Sequence, residues 1–191
     1  MGIIIQIMQN GTQNETRKTR VVHLPPVDDH TRMLGIASAS QQHPPKATWA
    51  VYLNETSAKN ESGVLLPRLA PDAEIIIDGE TAILYAALQA IKHFQTWTRD
   101  VTAKTILLKP GGSCKRWLGE VLDHKVPQWE ESGELWRTTN VVARELYEAI
   151  LQLEKDMPWV EVMIWEDPFS PDRQVEGAEK LAVDLLEAEG H

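Results

Sequence analysis

Residues 78–94 read DGETAILYAALQAIKHF, and this stretch decides the fold. Leu84, Ala87 with Leu88, Ile91 and Phe94 recur at i, i+3/i+4 and i+7 spacing, so one stripe of a helix is apolar. Ile83, Ala86 and Ala90 widen the stripe, which predicts burial over more than half the helix circumference. Asp78 is the expected N-cap, and Glu80 suits the positive first turn. Strand-like runs flank the helix at 33–39, 47–53 and 63–69 before it, and at 105–109 and 159–165 after it. Residues 73–77 read as an extended lead-in.

The run TILLK at 105–109 is continuously apolar up to its lysine, as a central strand buried on both faces requires. Pro110-Gly111-Gly112 ends it, and a helix is expected over 113–122. Residues 124–140, with Trp129 and Trp136, read as irregular or partly helical. Val142, Leu146, Ile150 and Leu153 predict a helix over 141–155, with Asn140 as its cap. A last helix is expected after Ser170 as cap and Pro171 at the first helical position. Its inner face is Val175, Ala178, Ala182 and Leu185. The order predicts an α/β (mixed α+β) domain over 33–191. Three sequential strands form a meander, and two further strands are added in parallel across helices. Residues 1–32 read as an N-terminal extension, with a strand expected at 2–8, a polar turn after it and a returning strand at 21–24.

The net charge of −9 at pH 7 argues against a generic nucleic-acid binder, because phosphate neutralisation needs Lys and Arg, but it leaves room for a local basic groove. Cys114 is the only cysteine, so an intrachain disulfide framework and a cysteine zinc site are excluded, and an intracellular, cytoplasmic or nuclear, compartment is the expectation. The run GIIIQIM is too short to span a bilayer and lacks the basic flank of a signal peptide.

The succession ATWAVYL, SGVLLPRL, AILYAALQAI, TILL, VPQWEESG, WRT, ARELYEAI, VEVMIW and AEKLAVDLLEAE resembles, in order and spacing, the ribonuclease H superfamily, and within it the fungal type 1-like members. The likeness runs over residues 33–188 and implies a five-stranded mixed sheet flanked by helices. Members of that family cleave the RNA strand of RNA/DNA hybrids with a pair of magnesium ions, which acidic side chains hold about 4 Å apart. Carried over position by position, the acid of the family's "TDGS"-like first strand falls on Ala37. The glutamate of its "AEL" helix word falls on Ile83, and the aspartate closing the fourth strand falls on or beside Pro110. The last helix alone keeps an acid, at Glu179.

These departures imply a degenerate member without metal cofactor, acting through a protein partner or a nucleic acid. A divergent nuclease that has moved its acids to Glu80, Glu166, Asp167 and Glu179 is the alternative, and it would take Mg2+ or Mn2+. A homo-oligomer formed through the N-terminal strand is a third reading. For Glu80, Glu166 and Asp167 the plain alternative is a helix first turn and a solvated loop end. Lys109, Lys115 and Arg116 flank the Pro-Gly-Gly turn and are candidates for an anion contact, against an ordinary surface connection. Trp129, Trp136 and Arg137 fall in the family's substrate-handling segment, and stacking on bases is set against simple packing. The histidines show no ligand spacing, and no membrane contact is expected.

Overall fold

The computed structural model describes residues 20–22, 28–66, 75–97, 102–112, 114–136, 141–165 and 172–189. The expected strand at 2–8 and the end of the expected strand at 63–69 fall outside these residues. So do the expected caps Asn140 and Ser170.

The sheet begins with the long strand β2 (Thr31–Gln42), which turns into β3 (Pro45–Tyr52) and then β4 (Glu61–Val64), all antiparallel. Helix α1 (Gly79–Trp97) crosses the sheet, and β5 (Thr105–Pro110) returns parallel to β2. Past α2 (Lys115–Glu120), α3 (Val126–Ser132) and α4 (Val141–Asp156), β6 (Glu161–Trp165) adds parallel to β5. Helix α5 (Arg173–Ala188) closes the described chain. The five expected strands are all present. A sixth, β1 (Arg20–Val22), pairs parallel with β6 and gives the order β1-β6-β5-β2-β3-β4. The returning strand of the extension is therefore an edge of the sheet.

Strand alternation separates two faces. Leu34, Ile36, Val51, Ile106, Leu108 and Ile164 point to one core, which α1 and α4 fill with Leu88, Ile91, Phe94, Leu146, Ile150 and Leu153. Ala37 and Ala50 point the other way and meet Ala178 and Ala182 of α5. Helix α1 is buried at Ala82, Ile83, Ala86, Ala87, Leu88, Ala90, Ile91 and Phe94, the wide face that its spacing predicts. Asp78 caps it, its Oδ1 accepting from Thr81 N at 2.7 Å.

Two local readings change. The segment after β5 is more helical than expected: α2 runs into a π-helical turn at Val121–Lys125 and then into α3, which ends on Gly133 in the left-handed region at φ 76°. Buried Leu118, Val121, Leu122 and Val126 draw this stretch onto the α1 core, which outweighs its weak helical periodicity. Helix α5 is capped by Asp172 rather than Ser170, the carboxylate accepting from the N–H groups of Gln174 and Val175. An aspartate at that position meets two free donors of the first turn at once, which makes it the stronger stop.

Candidate functional site

Three of the four positions that the resemblance assigns to metal-binding acids, Ala37, Pro110 and Glu179, lie around the end of β5. Pro110 pairs in register with Ile36, one residue before Ala37, and Gly111 N donates to the Ile36 carbonyl at 2.8 Å. Gly112 stands at φ 78°, turning the chain out of the strand. Glu179 reaches this turn from α5, and its Oε1 accepts from Gly112 N at 2.5 Å. A Cβ on Gly111 would meet Val175 at 2.6 Å and Glu179 at 2.8 Å, so glycine is what lets the turn and α5 come this close.

The surroundings of these positions are apolar or already bonded. Ala37 is fully buried among Ala50, Ala178 and Ala182. Ile83 is fully buried in the α1 core, on the opposite side of the sheet. Pro110 is buried as well. Beside Ala37, Ser38 turns toward α1 and donates to the Gly79 carbonyl at 2.9 Å. A pair of hard divalent cations needs several carboxylate oxygens converging on one hollow. Among the described residues no group of three or more His, Cys, Asp or Glu comes together, and this donor set does not fit such a pair. Glu80 is exposed on the first turn of α1. Glu166 and Asp167 lie outside the described residues.

Lys109 is placed otherwise than its sequence context suggests. Its position in β5 directs the side chain toward α5, where it is 4% exposed and pairs with Asp172. Its ammonium also lies 4.4 Å from the centre of the Trp165 ring. Burial pushes the Asp172 carboxyl up, but the Lys109 ammonium and the Gln174 and Val175 N–H groups outweigh that and hold it below the usual aspartate range. The expected anion contact by Lys109 is thus replaced by an internal ion pair, because strand parity turns this residue inward. The partner was missed because it lies 63 residues away. The available signal was the lysine itself, in a run that otherwise reads as fully buried.

Of the remaining candidates, Arg116 is exposed on α2. Trp129 is half-buried and packs against the α1 core. The side chains of Lys115 and Trp136, and all of Arg137, lie outside the described part. His93 pairs with Glu61 at 2.9 Å, tying α1 to β4, and the His30 ring bonds the Thr102 carbonyl at 2.9 Å. No described helix is long and apolar enough to cross a membrane.

No protein-family model matches the chain, and no curated protein matches it significantly. Solved structures do. The chain is similar to foamy viral protease-reverse transcriptase solved with dsDNA, at 13% identity and TM-score 0.57, over 84% of this chain and 97% of that one. It is also similar to foamy viral protease-reverse transcriptase solved with RNA/DNA hybrid, at 13% identity and TM-score 0.60. That match takes in 94% of this chain and 22% of the longer polypeptide. The solution structure of the PFV RNase H domain matches at 12% identity and TM-score 0.44, over 84% of this chain and 92% of that one. At such identities the likeness establishes the fold.

Proposed function

We propose that this chain, whose fold is RNase H-like, is a non-hydrolysing member of that superfamily that works by binding. One observation carries the reading. The positions assigned to the metal-holding acids are Ala37, Ile83 and Pro110, all buried, and Glu179, whose carboxylate caps the Gly112 turn. Phosphodiester cleavage of this kind relies on metal ions to activate water and to stabilise the leaving oxygen. Side chains without oxygen donors supply neither function, so the reading assigns the chain no hydrolytic step.

Nucleic acid is the first ligand to test, since the matched foamy viral structures hold dsDNA and RNA/DNA hybrid. The net charge of −9 means that such binding rests on a local set of contacts rather than on the overall field. Fluorescence anisotropy of labelled hybrid, duplex and single strand, at about 50 and 200 mM salt, tests the reading. The expected result is binding of at least one form without divalent cations, weakened at the higher salt, with no saturable thermal stabilisation by Mn2+. No binding to any form moves the proposal to a protein partner. Saturable stabilisation by Mn2+ together with metal-dependent loss of the hybrid overturns it in favour of displaced carboxylates.

A further inference from the structure

The face of the sheet under α5 contains a buried charge that the binding role does not use. Lys109 is 5% exposed and Asp172 17% exposed at the side chain, and the two are in contact. A lysine taken out of water is costly unless a counter-charge and good geometry offset the loss of hydration. Both are present here: the Asp172 carboxylate at one side of the ammonium and the Trp165 ring at the other. The same carboxylate accepts from Gln174 N at 2.9 Å and Val175 N at 3.3 Å. One aspartate thus joins the end of β5 to the first turn of α5.

The position of that turn matters because the contact beneath it is unusually close. A Cβ on Gly35 would lie 2.1 Å from the Gln174 carbonyl oxygen, so the backbone of α5 rests directly on β2. In register, Gly35 stands beside Lys109. The Gln174 amide also donates to the Met33 and Leu53 carbonyls at 3.3 and 3.1 Å. Further along the helix, Glu179 meets Gly112. The fully buried part of the α5 interface is four alanines, Ala37 and Ala50 against Ala178 and Ala182, with half-buried Tyr52 and Leu181 packed around them, so the fully buried side chains there are small.

We infer that Lys109 is a built-in cation that anchors the start of α5. It fixes the helix against the sheet through Asp172 at the end of the molecule where the family would place bound metal. The anchoring is independent of what the domain binds, so it stands or falls apart from the non-hydrolysing role.

The test is a double-mutant cycle on the full chain with Lys109→Met and Asp172→Asn, read by thermal unfolding and amide exchange. Asparagine retains N-cap capacity, so Asp172→Asn removes the charge and spares the cap. Asp172→Asn is expected to lower Tm by roughly 5 °C, because Lys109 stays buried without its counter-charge. Lys109→Met is expected to cost less, because Asp172 is more exposed and keeps its two N–H donors, and the double variant is expected to lose clearly less than the sum of the singles. The Gln174 and Val175 amides should exchange at least about tenfold faster in Asp172→Asn, with α1 amides unchanged. An Asp172→Asn chain that melts within about 1 °C of the native one, with unchanged α5 exchange, overturns the inference and leaves Asp172 as a cap alone. If Lys109→Met does not fold, Asp172→Asn and Lys109→Arg decide the same question.

Discussion

The two faces of the sheet are held by different means. Toward α1 and α4 the strands present Leu34, Ile36, Ile106 and Leu108, and the helices answer with Leu88, Phe94 and Leu146. Apolar volume does the holding there. Toward α5 the strands present Gly35, Ala37, Ala50 and Lys109, and the helix answers with Ala178, Ala182 and Asp172. Close approach and a few directed polar contacts do the holding on that side. The comparison bears on function, because the position expected to hold an acid on the first strand, Ala37, lies within the close-packed alanine cluster. On the proposed reading, alanine at this position goes with a surface on which a helix can settle closely.

Putting the acids back is the harshest way to break this comparison. Ala37→Asp and Ile83→Glu each bury an unpaired carboxylate in apolar surroundings. Each is expected to cost about 3 kcal/mol or more, and their combination is expected to unfold the chain, as circular dichroism melting would show. A folded, stable double variant would mean that the hollow is open and solvated. Next in size is a contrast between the faces. Phe94→Ala should cost about 3–5 kcal/mol in denaturant unfolding, since it empties the α1 core. Gly35→Ala adds one methyl group against the Gln174 carbonyl and should still cost about 1–3 kcal/mol. The first face is thus sensitive to removal and the second to addition, and a neutral Gly35→Ala would show that α5 rides loosely.

Smaller again is Thr48→Val. Thr48 is fully buried and its Oγ1 donates to the Ala182 carbonyl at 2.7 Å, so the change should lower stability by about 1 kcal/mol in the same measurement. The smallest effect expected is in acid. The Asp172 carboxyl is held below the usual aspartate range, so its contribution is complete above that range and is lost as pH falls through the folded-state value. Native protein should lose stability more steeply than Asp172→Asn as pH drops below the ordinary aspartate range. Parallel profiles would show that the ion pair adds nothing beyond the cap.

The same contrast explains what was legible in the sequence. The α1 face follows from periodicity: the repeat through Leu88, Ile91 and Phe94 places the helix, and the apolar run of β5 places the central strand. The α5 face carries no such pattern. Alanine and glycine give little periodic signal, and their meaning depends on which backbone comes near, as Gly35 and Gln174 show. Lys109 looked like a surface cation because its neighbours on one side are Pro110 and Gly111. Its inward direction follows only from strand parity, and its partner is supplied by the tertiary fold. Ser-Pro at 170–171 is itself a good helix start and points to a cap two residues early, while Asp172 wins by bonding both the first turn and Lys109. That Ala37, Ile83 and Pro110 carry no carboxylate is plain from residue type alone; the way packing surrounds them is not.

Hydrolysis itself provides the most direct measurement. Labelled RNA/DNA hybrid is incubated with the full chain and with Glu179→Ala, in Mg2+ and separately in Mn2+, and the products are resolved by length. Glu179 contributes an exposed hydrogen bond to Gly112, so the variant should remain folded and serve as the blank. The same background is expected for both proteins in both metals. Metal-dependent cleavage by the native chain that Glu179→Ala abolishes would contradict it.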